Sequence, residues 1–241
     1  MEPQNNARLD KRDCTLVVMA KAPRPGAVKT RLAQCLPQSA VTSLYRCLLE
    51  DTLRLAQSLS DIEVAIMCPA PDVSDLALLA GNAVRVVAQT GQGLAAGLTS
   101  VFADFDGANR RRVIAFNSDS PHLPAKALEK AFEVLAACDL VVGPTEDGGY
   151  YLIGAKTSYP TLFERDGLGT NNALEGLLNR AGALGLSAGF TDSFYDIDVA
   201  SDLIRLDAEL RISPTRAPRT AAWLAQWSQI VRQLQPAIGQ P

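Results

Sequence analysis

The chain has 241 residues, of which 47% are hydrophobic and 20% charged, with a formal net charge of −3. That length and apolar content can build one sizeable core, and the mild acidity argues against a general nucleic-acid binder. No apolar run approaches the ~18 residues of a membrane-spanning helix.

Residues 1–13 are polar and mixed in charge and lack the apolar centre of a secretory signal, so a disordered lead-in is expected, followed by a single domain over 14–241. The five cysteines, Cys14, Cys35, Cys47, Cys68 and Cys138, are odd in number and scattered. Most sit among apolar neighbours, which suits buried thiols in a cytoplasmic protein better than a disulfide framework or a zinc site.

The first predicted strand begins near Leu16 and runs into a loop and a helix start ending at Leu32. Lys21, Arg24, Lys29 and Arg31 lie in this stretch with no acid among them. Such a local excess of positive charge calls for an anionic partner, with polyphosphate the natural candidate; a solvated turn is the alternative. Pro23 and Pro25 stiffen the loop, Gly26 permits a turn, and a helix following directly would present free N–H groups to an anion. Val28 rather than glycine precedes Lys29, which excludes a Walker loop, and no G-x-G-x-x-G fingerprint follows this strand.

Apolar residues from Val41 to Leu59 recur at helical spacing. Ile62–Cys68 reads as a buried strand, Asp72–Ala80 as a helix and Ala83–Ala88 as a strand, an alternation typical of parallel α/β units. Gly91, Gly93 and Gly97 form a weak dinucleotide-like turn or a plain junction into a helix reaching Phe105. Arg112–Phe116 is the next strand, and Asp119 follows its carboxyl end, where open α/β sheets bind ligands. Asp119 suits Mg²⁺ or Mn²⁺, or else caps the next helix. His122, the only histidine, reads as packing or surface rather than catalysis.

Ala125–Ala136 is predicted helical and Asp139–Val142 extended. In Gly143–Gly154 two acids, Glu146 and Asp147, adjoin Gly148 and Gly149, with Tyr150 and Tyr151 as a stacking wall; a hairpin turn explains Asp147-Gly148 alone. Asn171–Ala181 is predicted helical and Gly182–Gly189 a glycine-rich connection. Phe194–Asp198 reads as a strand delivering carboxylates, and Asp202 favours the start of the helix after it. Trp223, Leu224, Trp227, Ile230, Val231 and Leu234 form an apolar stripe for core packing or a subunit contact.

Taken in order, the opening loop, Ser118-Asp119-Ser120-Pro121, Gly143–Gly154 and Asp196-Ile197-Asp198 with Asp202-Leu203 resemble the bacterial family called radical-SAM/selenodomain-associated transferase 1. Its members are described as glycosyltransferases of the GT-A, nucleotide-diphospho-sugar transferase fold. The chain is similar, more distantly, to 2-phospholactate and molybdenum-cofactor guanylyltransferases, whose opening loop places a Lys and an Arg on nucleotide phosphates. Asn117 stands where the family favours glycine, His122 where an acid is common, and Gly167–Thr170 replaces a tryptophan-containing segment.

The resemblance implies an α/β, Rossmann-like three-layer sandwich with a mostly parallel sheet. It also implies a metal-dependent transferase with a nucleoside-diphosphate sugar donor and a small-molecule acceptor. Ala20, Lys21, Arg24, Gly26, Lys29, Arg31 and Ser118 would hold the nucleotide and its phosphates. Asp119 and Asp198, with Asp196 in reserve, would hold Mg²⁺ or Mn²⁺. Asp119, Glu146 and Asp147 would be catalytic, and Gly148, Gly149, Tyr150 and Thr170 would face sugar or acceptor. Nucleotidyl transfer with release of pyrophosphate and a non-catalytic nucleotide-binding module are the alternatives. A homodimer is an arrangement the C-terminal stripe allows.

Overall fold

The computed structural model describes residues 13–105, 112–163 and 172–234. All of the expected lead-in over 1–13 except Asp13, and the site residue Thr170, lie outside them. The strands are β1 (Cys14–Met19), β2 (Glu63–Cys68), β3 (Arg85–Ala88), β4 (Arg112–Asn117), β5 (Leu140–Pro144), β6 (Tyr150–Ala155) and β7 (Ala188–Phe190). They form one seven-stranded sheet in the order β3-β2-β1-β4-β6-β5-β7, parallel except for β6, which runs antiparallel to both β4 and β5.

The central strands are apolar on both faces because helices cover both. Leu16 and Val18 of β1 face α1 (Gln38–Gln57), α2 (Val73–Ala80) and α4 (Ala125–Ala137), while Val17 between them faces α3 (Gly93–Phe105) and α5 (Ala173–Ala183). The far side of α1 carries a second layer of helices, α6 (Ala200–Ile212), α7 (Pro218–Gln226) and α8 (Ser228–Gln233), joined through Leu44, Leu48, Leu203, Leu206, Trp223 and Leu224. The tryptophan stripe is thus core packing within the chain, with Trp223 stacked on Trp227 at 5.6 Å. None of the five cysteines forms a disulfide; Cys14 and Cys68 are buried, but Cys35 is exposed rather than buried as expected.

Four expectations change. The opening loop does not feed directly into a helix: a 3-10 turn at Leu32–Gln34 intervenes and α1 begins only after Pro37, so no α-helix N-terminus adjoins Gly26. The Asp147-Gly148 segment is a true hairpin, and the aromatic stretch after it is β6, with Tyr151 buried and its hydroxyl bonded to Thr191 at 2.7 Å. The glycine-rich stretch ends in an edge strand, β7. A Cβ on Gly189 would lie 2.4 Å from Val134 Cγ1, so this glycine permits the strand to pass against α4.

Phe194–Asp198, finally, is no strand; only Phe194 makes a bridge, to Thr145. The N–H groups of Asp198 and Val199, which a ladder would need, donate instead to Asp202 Oδ2 at 2.9 and 2.8 Å, capping α6.

Candidate active site

The strand order reverses between β1 and β4, whose chain neighbours lie on opposite sides of β1. At that switch point the carboxyl ends of parallel strands open a crevice. β1 delivers the loop Ala20–Arg31 there and β4 delivers Asn117, Ser118 and Asp119. The β5–β6 hairpin and the segment before α6 supply Asp147, Asp196 and Asp198 from the other side.

Lys29 sits at the centre. Its side chain is 4% exposed, and its Nζ donates to Asp119 Oδ2 and, at 2.8 Å, to Asp198 Oδ1. Its φ of +48° is unusual for a side chain other than glycine, and the two carboxylates hold the residue in place. Burial disfavours the ammonium, but Asp119 and Asp198 more than offset that and raise its pKa. Arg31, largely exposed, approaches Asp198 Oδ2 at 3.5 Å.

One oxygen from each of Asp119, Asp196 and Asp198 lies within 4.8 Å of the others. Asp119 Oδ1 is buried without a hydrogen-bond partner among the described residues, while its other oxygen serves Lys29. Burial and the adjacent Asp119 and Asp198 push Asp196 up to about 7. Asp198 is held low: burial opposes its charge, but Lys29 and Arg31 outweigh that. Three carboxylates with an unsatisfied buried oxygen fit a hard divalent cation such as Mg²⁺ or Mn²⁺.

Two clefts meet at this cluster, sharing Met19, Leu94, Asp119 and Asp198 in their walls. The larger, about 1090 Å³, is lined by Ala20, Lys21, Lys29, Ser118, Pro69 and the loop Gly91–Gly93. Its rear is braced by Tyr45 of α1, whose hydroxyl accepts from Lys21 N at 3.1 Å and bonds Ser118 Oγ at 2.9 Å. The smaller, about 220 Å³, is lined by Arg31, Asn117, Thr145, Asp147, Gly149, Tyr150 and Asp196 among others.

The structure therefore brings together most of the residues singled out from the sequence, but not all. Arg24 is engaged elsewhere: it pairs with Asp72 at 2.5 Å and Asp75 at 2.6 Å, while Asp72 also accepts from Ala22 N at 2.9 Å. It braces the loop against α2 rather than facing the crevice. Gly26, at φ +75°, makes the turn between Arg24 and Lys29 without lining either cleft. Glu146 does not line the smaller cleft; both its oxygens accept from Arg205 Nη1, at 3.0 and 2.8 Å.

Asp147 does line that cleft, with Oδ1 accepting from Thr145 Oγ1 at 2.6 Å and Gly149 N at 3.2 Å. Gly148 turns at φ +89°, and a Cβ on Gly149 would stand 2.8 Å from Thr145 Oγ1, so the hairpin tip admits no side chain there. Sequence reasoning missed Tyr45, Thr145 and Asn117. Gly91–Gly93, expected as a plain junction into α3 or a weak dinucleotide-like turn, leads into α3 and forms a wall of the larger cleft. The glycine pair was the available signal; nothing local marks Tyr45, which reaches the site from the middle of a helix.

A family model described as "Uncharacterized protein conserved in bacteria (DUF2064)" matches residues 52–170. No curated protein matches the sequence. Among solved structures, the provisionally named nucleotide-diphospho-sugar transferase of Desulfovibrio desulfuricans G20 is 27% identical, with a TM-score of 0.84 over 92% of this chain and 98% of its own. A nucleotidyl transferase from Methanothermobacter thermautotrophicus superposes with a TM-score of 0.54 at 20% identity, over 83% of this chain and 99% of its own. The 4-diphosphocytidyl-2C-methyl-D-erythritol synthase of Anaerococcus prevotii DSM 20548 does so with 0.53 at 13% identity, over 82% and 96%. The chain has the α/β, GT-A-like fold shared by these nucleotide-dependent transferases, with its mostly parallel sheet between two layers of helices.

Proposed function

We propose that the protein is a metal-dependent transferase that takes a nucleoside-diphosphate sugar as donor and passes the sugar to a small-molecule acceptor, as the resemblance to radical-SAM/selenodomain-associated transferase 1 implies. The observation that carries this reading is the carboxylate cluster Asp119, Asp196 and Asp198, with Lys29 against it, at the junction of two clefts. A transfer site needs that arrangement: one cleft for the leaving group, another for the reacting group, and charge control between them.

In this reading the larger cleft holds the nucleotide, and Lys29 and Arg31 bear on its phosphates. Asp119 and Asp198, with Asp196, would hold Mg²⁺ or Mn²⁺, which when bound supplies neutralisation of the diphosphate as it leaves. Lys29 adds a fixed positive charge, preorganised by burial, where negative charge develops. Asp147, steadied by Thr145 and Gly149, orients hydroxyls in the smaller cleft and takes the proton of the attacking one. An acceptor oxygen bonds to the sugar's anomeric carbon, that carbon's bond to the phosphate oxygen breaks, and the electron pair leaves with the nucleoside diphosphate. Glu146, paired with Arg205, supports the hairpin and not the chemistry.

Nucleotidyl transfer is the second reading, supported by the size of the larger cleft and by two cations beside the acids. The two part cleanly. Incubated with sugar nucleotides, nucleoside triphosphates and a panel of acceptors in Mg²⁺ or Mn²⁺, a glycosyltransferase releases nucleoside diphosphate, and a nucleotidyltransferase releases pyrophosphate. Neither product across the panel, despite nucleotide binding, would favour a non-catalytic module.

A further inference from the structure

The smaller cleft carries information about what it admits. Its apolar walls come from Met19, Leu94, Leu98 and Tyr150. Three of its lining residues carry a buried side-chain oxygen with no hydrogen-bond partner among the described residues: Asn117 Oδ1 and Asp119 Oδ1, both acceptors, and Tyr150 Oη. Burial pushes the Tyr150 phenol up, so it stays protonated and able to donate at neutral pH.

The charged residues lining the cleft are unequal. Asp119, Asp147, Asp196 and Asp198 face a single cation, Arg31, among the described lining residues. A divalent ion on the cluster, with Lys29 and Arg31, leaves one positive charge over its three carboxylates. A donor diphosphate more than consumes that charge, and Asp147 adds another negative one. Among the described lining residues no cation remains for an anion on the second substrate, and bringing like charges together in a half-buried cleft is costly.

Resting on the transferase reading above, we propose that the cleft beside Tyr150 accepts an uncharged or cationic polyol and excludes phosphorylated and carboxylated acceptors. The about 220 Å³ available fits a body of roughly ten non-hydrogen atoms, the size of a hexose or an amino sugar. Its apolar face would lie on Tyr150, Leu94 and Met19. One hydroxyl would accept from Tyr150 Oη, one would donate to Asn117 Oδ1, and another would lie towards Asp147. Charge, more than shape, sets this selectivity.

The test uses the full chain and amide NMR shifts, comparing Gly149 and Tyr150 at the smaller cleft with Gln89 and Gly91 at the larger. Glucose, glucosamine, glucose 6-phosphate and inorganic phosphate are titrated separately, with and without Mg²⁺ and a nucleoside diphosphate. Glucose or glucosamine is expected to shift Gly149 and Tyr150 saturably in each arm, while both phosphates leave them unmoved once Mg²⁺ and the nucleoside diphosphate are present. Asp147→Lys should tighten glucose 6-phosphate binding at these amides by at least about tenfold.

Saturable movement of Gly149 and Tyr150 by either phosphate in the wild type with Mg²⁺ and the nucleoside diphosphate present, or no movement with either neutral or cationic sugar, would overturn the proposal. So would an Asp147→Lys variant that binds glucose 6-phosphate no better than the wild type. If the nucleoside diphosphate fails to move Gln89 and Gly91, the nucleotide reading fails separately, because the sugar arms run without it.

Discussion

Lys29 Nζ meets Asp198 Oδ1 at 2.8 Å across 169 positions of sequence, and the same nitrogen binds Asp119. A single buried ammonium therefore ties the first loop of the sheet to the end of β4 and to the segment before α6. Removing it leaves three neighbouring carboxylates without their common counter-charge.

Lys29→Met should accordingly destabilise the metal-free protein by about 2 kcal/mol, below the usual cost of breaking a fully buried pair because Asp198 is partly exposed. Mg²⁺ should recover much of that loss by replacing the missing charge. Donor affinity should fall at least about tenfold, since the variant also loses a phosphate contact. Urea unfolding in chelator and in Mg²⁺, together with nucleotide titration, checks both parts. Unchanged donor affinity would leave Lys29 with a structural role only, as the tie between Asp119 and Asp198.

Asp196 makes metal binding pH-dependent. Burial and its acidic neighbours push its pKa up to about 7, so below that pH the folded protein carries a proton that a bound cation must expel. Apparent Mn²⁺ affinity should rise about tenfold per pH unit up to about 7 and level off above it. The stability sign runs opposite: this raised group favours folding fully at acid pH and loses that contribution as pH rises through about 7. Calorimetric Mn²⁺ titrations between about pH 5 and about 8 measure the slope, and Asp196→Asn should flatten it.

The sequence made the parallel α/β frame and most of the site legible because both depend on local signals. Apolar strands alternate with amphipathic helices, and Lys29, Asp119 and Asp147 each follow a strand, where loops carry chemistry. Roles decided by distant partners were not legible. Arg24 looked like a phosphate ligand until Asp72 and Asp75 claimed it, and Glu146 looked equivalent to Asp147 until Arg205 drew it away. The segment Phe194–Asp198 has strand-like composition, but the Asp202 cap takes the N–H groups at its end. In each case a contact far along the chain or a helix cap overrode the local pattern.

Glu146 and Asp147 are adjacent acids with opposite surroundings, and paired substitutions should separate them. Glu146→Gln loses an exposed ion pair with Arg205, worth under about 1 kcal/mol, and should leave turnover within about twofold. Asp147→Asn should lower turnover by about a hundredfold or more if that carboxylate takes the acceptor proton. Steady-state kinetics on the donor and acceptor found in the activity panel would decide it, and a reversal of the two effects would move the base to Glu146.

His122 gives a prediction about acid stability that does not involve the transfer chemistry. The ring is 2% exposed, packs on Tyr195 at 4.3 Å between centroids, and has no hydrogen-bond partner on either nitrogen among the described residues. Burial, with Arg216 and Arg205 nearby, pushes its pKa from 6.5 down to about 4. The unfolded chain therefore takes up a proton on this side chain before the folded protein does. The stability contributed by neutral His122 is present above about pH 6.5 and is lost as pH falls towards about 4. Phenylalanine keeps a flat ring against Tyr195 and leaves no polar atom stranded, so His122→Phe should change stability little at neutral pH. Near pH 4 it should be up to about 3 kcal/mol more stable than the wild type. Urea denaturation of the two proteins across this range measures the difference, and parallel stability curves would show that the histidine takes up its proton as readily in the folded protein as in the unfolded chain.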